Sequence, residues 1–177
     1  LRSQNNYANF KTQNANREKI LLAGSNGGML HAFRASTGEE LWAFIPPSML
    51  PRLPQIISQN VNTGTTSSYQ TISIYGVDGS PIVKDIFVNG QWRTIVICGL
   101  GRGGQSFFAL DITNPNLPIH LFTVENDFVN SKVYFWNSNG QKTEWAHSSI
   151  TGTNNKNYSR LGETWSNPRI IRVRDSG

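Results

Sequence analysis

The sequence predicts an all-β protein, a β-propeller built of four-stranded antiparallel blades. Short apolar runs recur along the 177 residues, tight glycine turns separate them, and the order of runs in one part of the chain is repeated in another. Hydrophobic residues make up 37% of the chain and charged residues only 15%. That balance favours many short strands over a helical bundle, in which Ala, Leu, Glu and Lys would dominate.

The first blade is expected between residues 19 and 45. Residues 1–18 are polar, rich in Asn and Gln and without periodicity, so we expect a linker or a loosely attached N-terminal arm there. Three apolar runs follow, and the turn Ser25-Asn26-Gly27-Gly28 supplies glycine where a hairpin needs positive φ. We therefore predict three strands of one blade at the start of a propeller domain over residues 19–177.

Residues 80–124 predict one complete four-stranded blade. Asn89-Gly90 is a strong hairpin signal, and a glycine-rich turn and a Thr-Asn-Pro turn separate the later runs. Residues 28–34 align with residues 105–111, each after an apolar run and a glycine turn. Residues 164–177 repeat the small residue, Pro and β-branched pattern that opens this blade, so we expect the first strand of a later blade there. The chain then holds part of a ring.

Two polar stretches interrupt the blades, at about residues 46–77 and 125–160. The first is expected to include a turn or two of helix at residues 48–57, and the second contains strand-like pieces at 132–136 and 143–147. Binding residues concentrate on loops that a rigid scaffold positions. The sequence leaves open whether these insertions are recognition surfaces or simply long loops.

The charge pattern gives no sign of a nucleic-acid site. The formal net charge is +5, but the Lys and Arg residues are scattered, and the tightest group is Arg169, Arg172 and Arg174. We expect an ordinary solvated surface. No apolar run approaches the roughly 18 residues of a membrane span, so none is predicted.

No residue is predicted to be catalytic, to bind a cofactor or to hold a metal. Residues 99–104 fit Gly-x-Gly-x-x-Gly, but an alternating strand follows where a dinucleotide site needs a helix, so a hairpin turn is expected. His31, His120 and His147 lack zinc-site spacing. Cys98 lies in an apolar run and is expected to be buried and inert. We therefore expect no enzymatic activity.

The segment from Ala32 to Trp42 resembles the A-x-D-x-x-T-G-x-x-x-W signature of quinoprotein-type propeller blades. Thr37-Gly38 forms the tight turn, and Trp42 offers a large ring to pack against the neighbouring blade. Arg34 stands where the signature has Asp. The second copy keeps Ala109 and Asp111 but lacks the Thr-Gly turn and the Trp.

A wider resemblance, from about residue 19 to residue 174, is to the C-terminal propeller of the PilC/PilY family. Seven blocks carry it in order: Asn26-Gly27-Gly28-Met29-Leu30-His31-Ala32-Phe33, Trp42-Ala43-Phe44-Ile45-Pro46, Val77-Asp78-Gly79-Ser80-Pro81, Asn89-Gly90-Gln91-Trp92-Arg93-Thr94, Gly99-Leu100-Gly101-Arg102-Gly103-Gly104, Phe108-Ala109-Leu110-Asp111-Ile112-Thr113 and Leu161-Gly162-Glu163-Thr164-Trp165-Ser166-Asn167-Pro168.

This resemblance implies a non-enzymatic part of a type IV pilus tip-associated protein that acts in pilus biogenesis, twitching motility and adhesion. It implies minor pilins and host-cell or abiotic surfaces as partners. The implied location is the outer-membrane surface or pilus tip of a Gram-negative bacterium, after export by a signal peptide upstream. The family's calcium site is expected beyond residue 177. The chain has no Asp-x-Asp-x-Asn run, and its acidic residues are not at ligand spacing: Asp78, Asp85, Asp111, Glu125 and Asp127.

Two alternatives share the blade pattern. One is a quinoprotein dehydrogenase with a quinone at the propeller axis and a bound calcium ion. It predicts quinone absorbance or dye-linked alcohol oxidation. The other is a periplasmic scaffold for outer-membrane protein assembly, and it predicts co-purification with the assembly machinery.

Overall fold

A computed structural model describes residues 5–59, 74–150 and 157–171. Its helices and strands, in chain order, are α1 Tyr7–Gln13, β1 Ile20–Gly24, β2 Leu30–Arg34, β3 Glu40–Phe44, a 3₁₀ helix Pro47–Arg52, α2 Leu53–Gln59, β4 Ile82–Val88, β5 Gln91–Gly99, β6 Ser106–Asp111, β7 Ile119–Asp127, β8 Lys132–Trp136, β9 Lys142–Ala146 and a 3₁₀ helix His147–Ser149. The strands form two antiparallel sheets, β1-β2-β3 and β4-β5-β6-β7-β8-β9.

The first sheet confirms the three strands predicted between residues 19 and 45. Leu22 lies opposite Ala32, which in turn lies opposite Trp42. Gly28 and Gly38 adopt φ of 85° and 77°, a conformation that favours glycine in both turns. The turn chemistry and the apolar runs thus account for this sheet.

The second sheet contains the predicted four strands and extends beyond them. The hairpin between β4 and β5 has φ of 50° at Asn89 and 76° at Gly90, positive at both central residues as a type I′ turn requires. β8 and β9 then add two strands from the stretch that was predicted to be an insertion at 125–160. The strand-like pieces expected at 132–136 and 143–147 are thus confirmed, and they pair with β7 and with each other as part of this sheet.

The repeat seen in the sequence has a structural counterpart. β2 and β6 are the aligned strands, and each shows a shift of register against the next strand. The shift lies between Ala32 and Phe33 in β2 and between Ala109 and Leu110 in β6, at equivalent positions of the alignment. Such an irregularity bends a strand locally and increases its twist. The two sheets are therefore built on one plan.

The hydrophobic core lies between the two sheets, with one face of the first packed on one face of the second. Leu30 and Phe108 are fully buried there, and the rings of Phe44 and Phe108 lie 5.5 Å apart. Trp42 packs against this core and donates its indole N–H to the carbonyl oxygen of Pro115, in the turn between β6 and β7 of the second sheet (2.7 Å). The prediction that Trp42 packs against the neighbouring blade is confirmed.

The N-terminal arm contains a helix that the sequence did not indicate. Tyr7 and Phe10, three residues apart, lie on one side of α1, and both rings contact Trp92 of β5, at centroid distances of 4.5 and 6.2 Å. The Tyr7 hydroxyl donates to a carboxylate oxygen of Asp85 (2.6 Å). The sequence of α1 has little apolar periodicity. The helix is held instead by contacts with a sheet whose residues lie more than 70 positions further along the chain.

The remaining predictions have mixed outcomes. The short helix expected at 48–57 is confirmed as the 3₁₀ helix and α2. The strand expected from residue 164 is absent from the described residues 164–171, where Thr164 makes one isolated bridge with Gly101. Residues 60–73 of the first insertion, and Arg172 and Arg174, lie outside the described residues. No described helix is long and apolar enough to cross a membrane.

Candidate recognition surface

Three chain segments meet at one end of the second sheet, and we call the surface they form the loop face. They are the segment 74–79 before β4, the glycine turn 99–104 between β5 and β6, and the C-terminal segment 157–171. Four side chains of the loop face contact one another as a group: Tyr75, Arg102, Glu163 and Trp165.

Glycines allow the backbones of the first two segments to touch. A Cβ on Gly103 would lie 1.7 Å from the carbonyl oxygen of Gly76, and a Cβ on Gly79 would lie 2.2 Å from that of Gly99. No side chain fits such gaps. The glycine turn itself has φ of 57° at Gly101 and 142° at Gly104. The backbone of segment 74–79 and that of the turn 99–104 can therefore pack directly on each other only with glycine at Gly79 and Gly103.

Thr164 fixes the C-terminal segment to the glycine turn. Its hydroxyl is buried, accepts a hydrogen bond from the backbone N–H of Leu100 (2.7 Å) and lies 3.0 Å from the carbonyl oxygen of Ser106, to which it can donate. The Gly101 N–H is also within reach, at 3.3 Å. The Leu100 N–H also lies 3.2 Å from the Ser106 carbonyl oxygen, so the Thr164 hydroxyl joins a backbone hydrogen-bond pair within the glycine turn.

Asn126 makes a second attachment. Its side-chain amide is almost fully buried and donates to the carbonyl oxygens of Ser159 (3.0 Å) and Leu161 (2.8 Å), while its own oxygen lies 2.8 Å from Nε2 of His147. Together with Thr164, this amide holds the C-terminal segment in place without secondary structure in the segment itself.

Arg102 extends from the glycine turn over two aromatic rings. The centre of its guanidinium lies 5.1 Å from the Tyr75 ring centroid and 5.2 Å from that of Trp165. One N–H of the guanidinium donates to the Tyr75 hydroxyl (2.9 Å), and the Trp165 indole N–H donates to Glu163 (2.8 Å). Trp165 remains 55% exposed. This cluster can contact a partner molecule directly.

A partly buried ionisable pair lies beside the loop face. Arg52, from the 3₁₀ helix, donates to the carbonyl oxygen of Gly103, and its guanidinium lies 3.9 Å from a carboxylate oxygen of Glu125. Burial raises the pKa of Glu125 to about 7, the charge of Arg52 opposes that rise, and Asp127 adds to it. The pair connects the first insertion to β7.

The structure places the residues that were considered for chemistry apart from one another. His31 lies beside Ser25, His120 beside Thr123 and His147 beside Asn126. Within the described residues, no group of three or more His, Cys, Asp or Glu is arranged to hold a metal ion. The donor set therefore does not fit a calcium site there.

The acidic side chains are engaged in local structure instead. Asp85 accepts hydrogen bonds from Tyr7 and Thr94, and Asp111 accepts from Arg93 and from the backbone and hydroxyl of Thr113. Cys98 is fully buried, which confirms the expected buried cysteine, and this burial raises the pKa of its thiol to about 12. β6 follows the glycine turn, so the prediction of a hairpin turn there is also confirmed.

Reasoning from sequence did not find the Arg102 cluster. Tyr75, Arg102 and Trp165 are separated by 27 and 63 residues, and no local periodicity relates them. The available signal was indirect: two of the seven blocks, the glycine turn and the Thr164-Trp165 block, contain two of the three residues.

A second, separate concavity lies between α1 and the hairpin of β4 and β5. It has a volume of about 620 Å³, and amide side chains and aromatic rings line it, among them Asn9, Gln91, Phe87 and Trp92. Its aromatic floor is the same group of rings that attaches α1 to the sheet.

Comparison with known proteins gives one consistent family. A family model described as the PilY1 beta-propeller domain matches residues 1–174. The chain is 41% identical over 111 residues to a Type IV pilus biogenesis factor PilY1 homolog of Xylella fastidiosa. It is 39% identical over 110 residues to Type IV pilus biogenesis factor PilY1 of Pseudomonas aeruginosa strain UCBPP-PA14. Each match covers 62% of this chain but only 8% and 9% of the relative.

A solved structure supports the same fold. The crystal structure of the Pseudomonas aeruginosa PilY1 C-terminal domain matches with a TM-score of 0.52 and 24% sequence identity, over 89% of this chain and 38% of that one. The β-propeller architecture predicted from the sequence is confirmed.

Proposed function

The chain belongs to the PilY1 β-propeller family, and on this basis we propose that it is part of a type IV pilus biogenesis factor. The observation that carries the proposal is the family match over residues 1–174. The named relatives are type IV pilus biogenesis factors, and this chain spans less than a tenth of their length. The role of the whole protein is therefore proposed from these relatives.

The domain acts by binding and not by catalysis in this proposal. Three segments hold the loop face in place through glycine contacts, Thr164 and Asn126, and the exposed rings and guanidinium lie on that support. Rigid positioning of exposed aromatic and Arg side chains is typical of protein interfaces. This observation supports a recognition role within a pilus-associated protein.

The location and partners follow the same proposal. The protein is exported and acts at the outer-membrane surface or pilus tip of a Gram-negative bacterium, where it contributes to pilus biogenesis, twitching motility and adhesion. Its partners there are minor pilins and host-cell or abiotic surfaces. The calcium site remains a prediction for a segment beyond residue 177.

Fractionation of the native cells tests the proposal. Pili are sheared from the surface, and the pilus, membrane and periplasmic fractions are blotted with an antibody to this chain. We expect signal in the sheared pilus fraction, together with loss of surface pili when the gene is deleted and their return on complementation. Signal confined to the periplasm, with normal pili in the deletion strain, would contradict the proposal.

The same preparation distinguishes the alternatives. A quinoprotein dehydrogenase would show quinone absorbance and dye-linked alcohol oxidation in the full-length protein. A periplasmic scaffold would co-purify with the outer-membrane assembly machinery. Arg34 bears on the first alternative because its guanidinium pairs with Glu18 and Glu39, at the position where the quinoprotein blade signature has Asp.

A further inference from the structure

Among the described arginines, Arg102 combines a guanidinium without an ion pair and a position over two aromatic rings. Arg34, Arg52 and Arg93 form ion pairs with carboxylates. Arg17 donates to Thr94 and Thr113. Within the described residues, Arg102 forms no ion pair, and its hydrogen bond goes to the neutral hydroxyl of Tyr75. Its positive charge thus lacks an acidic partner in the described part of the chain.

The position of this charge is fixed before any partner arrives. The side chain lies over both rings, and such cation–π contacts restrain it. Tyr75 and Trp165 are in turn held by their neighbours: the backbone N–H of Val77 donates to Ser25 (2.9 Å), and Thr164 is buried in the glycine turn. A guanidinium has five N–H donors, and one is used by Tyr75. Its other donors form no hydrogen bond with the described residues, and the Arg102 side chain is exposed.

We propose that the cluster of Tyr75, Arg102 and Trp165 binds a carboxylate of an acidic segment on a partner protein. The planar fork of Arg102 donates two hydrogen bonds to the two carboxylate oxygens, a geometry that guanidinium matches and ammonium does not. The exposed ring of Trp165 packs against the side chain next to that carboxylate. This inference rests on the proposed function in one respect, that the domain acts by binding, and adds the chemistry of the partner.

The surroundings favour a protein carboxylate over a nucleic-acid phosphate. Glu163 lies beside the cluster and accepts the Trp165 indole N–H, so its negative charge opposes a closely spaced polyanion. Nucleic-acid backbones are bound by several cations along a track, whereas this cluster has one. Trp, Tyr and Arg are the residues most enriched at the energetic centres of protein interfaces.

A peptide-binding measurement on the full-length protein tests the proposal. The probe is a fluorescent Gly-Ser peptide that carries one Glu next to a Leu, with the same peptide carrying Gln in place of Glu as its neutral match, at 50 and 300 mM NaCl. We expect salt-dependent binding of the Glu peptide only. Arg102→Gln and Arg102→Lys should both weaken it at least tenfold, because Lys keeps the charge but loses the fork.

Arg169→Gln is the matched control, since it removes one exposed positive charge from the same surface and should weaken binding less than twofold. Equal losses in the Arg102 and Arg169 variants, full binding by Arg102→Lys, or no binding of the Glu peptide would overturn the proposal. Tighter, Arg102-dependent binding of single-stranded DNA would assign the site to nucleic acid instead. Pilus fractionation reports on the proposed function independently of all these results.

Discussion

At the scale of single residues, Glu125 is the described carboxyl group whose charge its surroundings disfavour most clearly. Its side chain is 15% exposed, and burial raises its pKa from the ordinary value of 4.5 to about 7. Arg52 offsets part of that burial cost from 3.9 Å, but its guanidinium also donates to the Gly103 carbonyl oxygen. The folded protein therefore binds a proton at Glu125 more tightly than the unfolded chain does.

Replacing this carboxyl with an amide should make the protein more stable at alkaline pH. The pKa of Glu125 is higher in the folded protein than in the unfolded chain. The carboxylate charge therefore lowers the free energy of unfolding by an amount that is near zero below about pH 4.5, grows as pH rises and is complete above pH 7. Glu125→Gln should raise the free energy of unfolding by up to about 3 kcal/mol at pH 8 and change it little at pH 4.5. Urea unfolding at the two pH values measures this difference.

The control for that experiment is Glu144→Gln. Glu144 is exposed, and a hydrogen bond from Lys132 lowers its pKa. Its negative charge therefore favours the folded state once the pH is above 4.5, the ordinary pKa of Glu. Its amide variant should show no gain in stability at pH 8. If Glu125→Gln raised the free energy of unfolding equally at both pH values, the carboxylate charge would not be the cause of the gain.

Cys98 gives a second prediction at this scale. The thiol is fully buried, and burial raises its pKa to about 12, so the reactive thiolate is scarce near neutral pH. At pH 8 a disulfide reagent should modify the unfolded chain within minutes and leave the native protein unmodified over the same time. Rapid modification of the native protein would mean that the sheet opens around β5.

At the scale of elements, the sequence predicted what depends on neighbours along the chain. The strands of the first sheet and the Asn89-Gly90 hairpin follow from alternation and turn chemistry, which are local. α1 was missed because its buried face is defined by Trp92, about 80 residues away. The Arg102 cluster was missed for the same reason, since only the folded backbone brings its three segments together.

The glycines of the loop face should be irreplaceable where backbones touch. Gly103→Ala should lower the free energy of unfolding by about 3 kcal/mol, because the new Cβ would lie 1.7 Å from the Gly76 carbonyl oxygen. Gly162→Ala is the matched control: a Cβ there meets no atom within 4 Å, and we expect a change within about 0.5 kcal/mol. Chemical denaturation measures both, and equal effects would disprove the close contact.

Thr164 should determine whether the C-terminal segment stays attached to the glycine turn. Thr164→Val keeps the shape but removes one of the two acceptors of the buried Leu100 N–H, the other being the Ser106 carbonyl oxygen (3.2 Å), and it also removes an acceptor of the Gly101 N–H. We therefore expect a loss of about 1 kcal/mol in the free energy of unfolding and faster hydrogen exchange of the Gly101 amide. Thr164→Ser retains the hydroxyl and should lose less than half as much. If the valine variant exchanged Gly101 at the native rate, the Thr164 hydroxyl would not be the group that protects this amide.

At the scale of the whole molecule, two sheets built on one plan differ at one edge. By the alignment of β2 with β6, β1 corresponds to β5, and β5 has β4 as its outer partner. In the described part of the chain, β1 pairs only with β2, so its other edge presents backbone N–H and C=O groups without a strand. Leu21 of β1, 60% exposed, and Val83 of β4 both line an open cleft of about 590 Å³ beside this edge.

An open edge with an exposed apolar residue is a template for pairing with another chain. We therefore expect the 177-residue chain to self-associate as its concentration rises, with β1 pairing to a strand of a second copy. Leu21→Lys should raise the dissociation constant about tenfold, since a charged side chain at an edge opposes strand addition.

Leu117→Lys makes the same change at a 64% exposed residue in the turn before β7, away from that edge, and should leave association unchanged. Sedimentation velocity over a concentration series measures both variants. Equal weakening by the two would indicate a general effect of charge, whereas weakening by Leu21→Lys alone would place the contact at β1.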